Sequence, residues 1–256
     1  PTRRSSDLDV SCRWNNIQDV RSYIISSFIA TQNDANNDDK QSHPSNVSEL
    51  KLQDLKPGDQ VTSELTLGEM LGKGGFSRVF RVSHVLQPDN KLAIKIFEEG
   101  NTAQAVIDEY QALSKLNHNN IVRFYYNGLI QNRLFYTLME YVDGENLGKY
   151  SYGNMRLPLP VIYNMAESVL DALKYMQEQE TPMYHRDIKP YNIMMDKNQR
   201  FVLIDFNIAS DNSDSLSGAG TRPYMAPDMF TPHGIVVNKS TDTFALGITI
   251  YELLAH

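Results

Sequence analysis

The stretch Tyr184-His185-Arg186-Asp187-Ile188-Lys189-Pro190-Tyr191-Asn192 decides how this chain is read. It sets an aspartate, a lysine and an asparagine at fixed offsets, immediately before the short β-type run Ile193-Met194-Met195-Asp196. A second run, Phe201 to Phe206, follows the turn Lys197-Asn198-Gln199. It ends in Asp205-Phe206-Asn207, and Asp205 lies 205 − 192 = 13 residues past Asn192. These two strings at this spacing are far more specific than any single motif in the chain.

Toward the N-terminus the pattern is strand-like. LTLGEML, RVFRVSHVL, KLAIKIF and RLFYTLMEYV read as short antiparallel strands, with Pro88-Asp89-Asn90 as a turn between them. Gly72-Lys73-Gly74-Gly75-Phe76-Ser77-Arg78-Val79 is a glycine-rich turn between two of these strands. Glycine admits positive φ and close approach of the backbone to phosphates, although glycine turns are common in ordinary hairpins. Leu92-Ala93-Ile94-Lys95 places a lysine inside an apolar strand, which is costly unless the charge is used. A lysine whose stem merely lies along apolar surface is the plainer alternative. A helix is predicted from about Ala103 to Leu116. After Pro160, Ile162, Met165, Val169, Leu173 and Met176 form one stripe of a long amphipathic helix. The order is therefore a small sheet-rich part followed by a larger helical part.

With these residues in place, the chain from about Leu65 to His256 resembles the protein kinase family. The motifs run in the family's order: glycine loop, LAIK, HRDIKPYN, DFN, GTRPYMAPD and TDTFALG. The resemblance implies an α+β bilobal fold, with an antiparallel-sheet N-lobe over about 61–142 and a helical C-lobe from about 143. It implies transfer of the ATP γ-phosphate to a Ser or Thr hydroxyl of a protein substrate. Lys95 would hold the α/β-phosphates, paired with Glu109 on the following helix; Asp108, Glu98 and Glu99 compete for that place. Asp187 would orient the substrate hydroxyl and accept its proton, while Asn192 and Asp205 would bind Mg²⁺. Carboxylates beside a polyphosphate require such cations. Lys189 would help neutralise the γ-phosphate, and Thr221 would hydrogen-bond both Asp187 and Lys189 on the substrate side. Both favour Ser/Thr over Tyr as acceptor.

The same resemblance places ATP between the lobes. Leu71, Gly72, Lys73, Gly74, Gly75, Phe76 and Ser77 would cover it, Val79 and Ala93 would form the adenine ceiling, and Met194 the floor. Met139 would be the gatekeeper, backbone groups of Glu140 and Val142 would read the adenine edge, and Asn146 would meet the ribose. Each of these also has a reading as plain core. Leu113, Phe124, His185 and Phe206 match a stacked column joining the lobes, and Asp242 would anchor the catalytic loop from beneath.

Departures from the pattern are Ser77 for the third glycine of the loop, Asn207 for the glycine of D-F-G, and Asp228 for the glutamate of A-P-E. Asparagine tolerates left-handed backbone, so a turn at Asn207 is expected to be possible. Some bacterial kinases of the superfamily are similar in this respect. A pseudokinase that binds ATP without chemistry is the alternative function, supported by Asn207 alone. A small-molecule kinase is a second, opposed by Gly220-Thr221 and Ala226-Pro227-Asp228. The C-lobe is expected to be incomplete, leaving Phe244, Ile248 and Leu253 without partners and the fragment weakly active. Arg186 beside Asp187 suggests control by activation-loop phosphorylation, for which Ser210, Ser213, Ser215 and Ser217 are candidates; a solvated loop is the plain alternative.

The bulk numbers agree with an enzyme and exclude other classes. Of 256 residues, 41% are hydrophobic, enough for a core, and the formal charge of −7 argues against a nucleic-acid partner. The single cysteine, Cys12, permits no internal disulfide and suits a reduced, cytoplasmic setting. The apolar run 23–30 is too short to span a bilayer. Residues 1–8 (PTRRSSDL) resemble the translated end of a sequencing adapter and so read as a library scar, or else as an ordinary polar terminus. Residues 9–30 carry helical spacing at Trp14, Ile17, Val20, Ile24 and Phe28, either as a separate upstream element or packed on the kinase. Residues 31–60 read as a polar linker. Oligomeric state is not legible.

Overall fold

The structure, a computed structural model, describes residues 50–75, 77–98, 113–151, 155–206, 220–231 and 234–255. Glu109, Phe76, Asn207, the serines of 210–217 and residues 103–112 of the helix predicted from about Ala103 to Leu116 lie outside them, as do residues 1–49, where the scar and the upstream helix are expected.

The N-lobe is a five-stranded antiparallel sheet in the order β1-β2-β3-β5-β4. Its strands are β1 (Leu65–Lys73), β2 (Ser77–His84), β3 (Gln87–Phe97), β4 (Phe124–Ile130) and β5 (Leu134–Glu140). Period-two alternation divides it into two faces. Val79 pairs with Lys95, Lys95 with Thr137, and Ala93 with Met139, so these share one face. Phe80, Val82, Leu92, Ile94, Ile96 and Leu138 share the other, and all are buried.

That second face is covered by residues expected to be linker. Leu52, Leu55 and Val61 are buried in one cluster with Leu65, Phe80, Ile94 and Ile96. Backbone bonds hold the segment down: Gly58 N–H donates to Leu67 O at 2.8 Å, and Leu67 N–H to Asp59 O at 2.9 Å. Residues 50–60 therefore belong to the N-lobe, because a sheet face made of Ile and Phe must be covered. Truncating Leu55, only 5% exposed, leaves a cavity in that cover. Leu55→Ala is expected to cost about 2–3 kcal/mol, read as a lower urea midpoint.

Two further details differ from the sequence reading. The chain reverses at Val85-Leu86, where His84 pairs with Gln87, and Pro88, Asp89 and Asn90 instead extend β3 on the exposed side. The reading also omits β4, whose Asn127-Gly128 looks like turn chemistry. Gly128 is needed for packing, since a Cβ there would sit 2.7 Å from the Tyr136 hydroxyl.

The C-lobe begins with β6 (Gly144–Asn146), which joins β7 (Ile193–Asp196) and β8 (Phe201–Leu203) in a small sheet of order β6-β7-β8. Helix α1 (Leu159–Gln177) starts where Pro160 presets φ, and buries Ile162, Met165, Val169, Leu173 and Met176 as the stripe predicts. Helix α2 (Lys239–Ala255) is capped by Asn238, whose Oδ1 accepts from Ser240 N–H at 2.8 Å. Leu253, expected to lack partners, is buried in the C-lobe core, and Ile248 packs against that core. Phe244, Tyr251 and Leu254 are exposed. Two-stranded pairing of β9 (Phe230–Thr231) with β10 (Gly234–Ile235) completes the described elements. No helix among the described residues is long and apolar enough to cross a membrane.

Candidate active site

Asp187 is the centre of the site. Its Oδ2 accepts from Lys189 Nζ at 2.7 Å and from Asn192 Nδ2 at 2.8 Å. Its Oδ1 accepts from the Thr221 hydroxyl at 2.7 Å and from Thr221 N–H at 3.0 Å. Lys189 Nζ also donates to Thr221 Oγ1 at 2.7 Å. The loop before β7 and a segment over thirty residues downstream thus close on one carboxylate.

Backbone geometry makes this closure possible. Gly220 has φ +111°, and a Cβ there would lie 2.3 Å from Arg186 O, so only glycine passes. Arg186 itself adopts φ +66°, a conformation that costs free energy and must be held in place. Asp242, on α2, holds it. Its two carboxylate oxygens accept from His185 N–H at 2.7 Å and Arg186 N–H at 2.8 Å. Tyr224, just past Thr221, donates to Glu252 Oε2 at 2.5 Å and ties the downstream segment to the same helix.

The two lobes meet at Lys95 and Asp205. Lys95 Nζ lies 2.6 Å from Asp205 Oδ1. β8 ends at Leu203 rather than continuing through Asp205-Phe206, because Asp205 turns to φ +58°. Aspartate is among the few residues that enter this region readily. Burial opposes ionisation of Asp205, but the Lys95 ammonium outweighs it and holds the carboxyl below its ordinary value. Glu109, the partner expected for Lys95, falls outside the described residues.

Beneath this pair, Phe206 packs on His185 with ring centroids 4.4 Å apart, and edge-on against Phe124 at 6.4 Å. Leu113 is buried in the same core cluster. Three of the four residues expected in the column, Phe124, Phe206 and His185, are thus stacked in contact.

Along the cleft, Gly74 N–H donates to Ser77 O at 2.8 Å and closes the turn between β1 and β2. A Cβ at Gly72 or Gly75 would meet nothing within 4 Å, so the chain's own packing does not require these glycines. Lys73 pairs with Arg78 at the tip. Ala93 and Val142 are buried, Val79, Met139 and Met194 half-buried, and Leu71 exposed. Val142 C=O accepts from Gly144 N–H at 2.9 Å. Asn146, expected at the ribose, spends its Oδ1 on Gly148 N–H at 3.0 Å and caps a short turn.

One side chain escaped the sequence reading. The Glu140 carboxylate turns to the face opposite Met139 and meets Arg200, one residue before β8. A cleft of about 610 Å³ opens on that side, between the hinge residues Glu140, Tyr141 and Asp143, the 116–123 loop and the β7–β8 turn. Lys95, Asp187 and Asp205 do not line it. The only advance signal is strand alternation, which sends neighbours 139 and 140 to opposite faces.

The protein kinase domain family matches residues 65–256. This chain belongs to the protein kinase family. Similar proteins include the serine/threonine-protein kinase PrkC of Bacillus subtilis, 30% identical over 207 residues, which cover 77% of this chain and 31% of that protein. An Aurora kinase of Eremothecium gossypii is 33% identical over 212 residues, covering 80% of this chain and 55% of its own. The chitin elicitor receptor kinase 1 of Arabidopsis thaliana is 31% identical over 214 residues, covering 81% and 33%. The chain thus spans from about a third to about half the length of these relatives.

In this kinase domain the departure at Asp228 has a local solution. Its Oδ2 accepts from Asn238 Nδ2 and Ser240 Oγ, both at 3.4 Å, which links the A-P-D turn to the start of α2.

His185 carries a pH dependence. Its Nδ1 accepts from Asp187 N–H at 3.3 Å, which leaves Nε2–H to donate to Ile204 O at 3.1 Å. Burial depresses its pKa below the ordinary 6.5, against the opposing pull of Asp242 and Asp187. Below about pH 6.5 the unfolded chain therefore binds a proton that the folded one resists, and stability falls as pH falls. Urea midpoints at pH 7.5 and 5.5 should show this drop in the parent and a shallower one in His185→Gln. Equal slopes would contradict it.

Proposed function

We propose that the protein is an ATP-dependent protein kinase acting on Ser or Thr hydroxyls, with Asp187 as the base. The observation that carries this is the Asp187 carboxylate held at once by Lys189, Asn192 and Thr221. Such a carboxylate is fixed in direction and stands beside a cation suited to phosphate. The acceptor hydroxyl attacks the γ-phosphorus, the bond to the β,γ-bridging oxygen breaks, and ADP leaves. Asp187 takes the hydroxyl proton, and Lys189 offsets charge on the transferred group.

Lys95 fits the α/β-phosphates, and the open glycines at 72 and 75 leave room for them. Met194 and Ala93 suit the adenine faces, and the N–H of Val142 suits its edge. Asn192 gives its Nδ2 to Asp187 and keeps Oδ1 as an acceptor, while Asp205 keeps a carboxylate oxygen beyond the Lys95 pair. Two hard oxygen donors of this kind fit Mg²⁺, whose remaining positions go to water and phosphate. When bound, the ion neutralises charge on the phosphates. A protein substrate and a cytoplasmic setting accompany this reading.

The test is γ-phosphate transfer from labelled ATP to protein by the parent and by Asp187→Ala, with phosphoamino-acid analysis of the product. Label on Ser or Thr that disappears in the variant supports the proposal. Transfer that persists in the variant, or no transfer in the parent, would refute it.

A further inference from the structure

Arg200 makes two ion pairs outside the active site, with Glu140 and Asp196. Its guanidinium reaches three separate elements. One terminal nitrogen meets Glu140 Oε1 at the end of β5, Nε meets Asp196 Oδ2 on β7 at 3.1 Å, and the other terminal nitrogen donates to Asn119 O at 3.4 Å. Both ends of this arrangement are themselves fixed. Asp196 Oδ1 accepts from Asn198 N–H at 2.8 Å and Arg200 N–H at 2.9 Å. Glu140 N–H donates to Arg123 O at 2.8 Å, and its other carboxylate oxygen accepts from Arg123 N–H at 3.4 Å.

A second tether runs parallel to the first. Asp143 Oδ2 accepts from Lys91 Nζ, within β3, and from Lys197 Nζ, in the β7–β8 turn, both at 3.0 Å. Lys91 belongs to the N-lobe and Lys197 to the C-lobe, so this carboxylate also joins the lobes behind the hinge. The cleft of about 610 Å³ on this side shows that side-chain packing does not fill the space. Charge contacts hold the hinge there instead.

We propose that Arg200 is a positioning residue for nucleotide binding: it clamps Glu140 to the C-lobe from behind and so sets the backbone of residues 140–142 against the adenine edge. The inference rests on the ATP-binding reading above. Register gives the lever. Met139 and Ala93 face the nucleotide side, and Glu140 faces away, so a pull on the Glu140 carboxylate is transmitted through its own backbone to the two groups assigned to adenine. Arginine suits the task because its planar fork reaches several acceptors at once, which an ammonium does not.

The experiment measures KM for ATP, KM for a peptide substrate and kcat for the parent, Arg200→Ala, Arg200→Lys and Glu140→Gln, with ADP affinity titrated separately. Arg200→Ala and Glu140→Gln are expected to raise KM for ATP and Kd for ADP about fivefold, with peptide KM and kcat within about twofold, and Arg200→Lys to fall between. The parent's advantage should shrink between about 0.05 and 0.5 M salt, because partly exposed ion pairs are screened. Glu140→Gln keeps the shape of the hinge, so it answers the question even where Arg200→Ala folds poorly. Unchanged ADP affinity in both variants would overturn the proposal. So would parallel losses in ATP KM, peptide KM and kcat, which mark general damage. Intact ADP binding with no Asp187-dependent transfer would remove the kinase reading and leave the clamp standing.

Discussion

Asp187→Asn is expected to lower kcat by about 10³-fold while leaving ADP affinity within a few-fold of the parent. The variant is nearly isosteric, so the argument turns on protons. Asn Oδ1 still accepts from Thr221. Its Nδ2, however, would face Lys189 Nζ and Asn192 Nδ2, which both donate to that side in the parent. Lys189 Nζ keeps Thr221 Oγ1 and Asn192 Nδ2 keeps the backbone oxygen of residue 187, but both lose their shared carboxylate oxygen to a third donor, and the carboxylate proposed to take the hydroxyl proton is gone. Lys95 and Asp205 are untouched, which is why nucleotide affinity should hold. Asp187→Ala removes the acceptor for the Thr221 segment as well, and its loss should be at least as large. Single-turnover transfer from labelled ATP, set beside an ADP titration, separates the two quantities. A variant with a tenth or more of the parental rate would contradict the assignment of Asp187 as base.

The second large effect is on stability. Asp242 is 1% exposed and is the shared acceptor for two backbone donors, that of His185 buried and that of Arg186 partly buried. Burial raises its pKa above the ordinary value, against the pull of His185 and of the two N–H groups. Asp242→Ala orphans both N–H groups at about 1–3 kcal/mol each, so a loss of about 4 kcal/mol is expected. Asp242→Asn keeps one acceptor and should lose about half as much. The damage also reaches the chemistry, because the Asp242 carboxylate holds the N–H of Arg186 at φ +66°, and Asp187 follows Arg186 in the chain. Urea unfolding of the three proteins checks the ranking. A change under about 1 kcal/mol in Asp242→Ala would mean that water or a neighbour replaces the carboxylate.

Both predictions show which parts of the site were legible beforehand. Asp187, Lys189, Asn192 and Thr221 were readable because they are local strings of reactive types, and the described structure brings all four within hydrogen-bond reach. The core stripe of α1 was readable from helical period alone. The cover at 50–60 was not: Leu52 and Leu55 stand among lysines, aspartates and a Pro-Gly turn, and their burial depends on a sheet face formed elsewhere. Asn146 illustrates the same limit in reverse. Its Oδ1 accepts from a backbone N–H two residues away, a local cap that residue type does not reveal.

By itself, the sequence determined the family, the order of the two lobes and the residue types available for phosphoryl transfer. It did so because period, turn chemistry and short motifs are properties of neighbours along the chain. Only the tertiary structure decided how those residues are held: Gly220 against Arg186 O, Asp242 beneath His185 and Arg186, and Arg200 behind Glu140. Each of these is a contact between segments more than thirty residues apart, set by strand register and positive-φ turns.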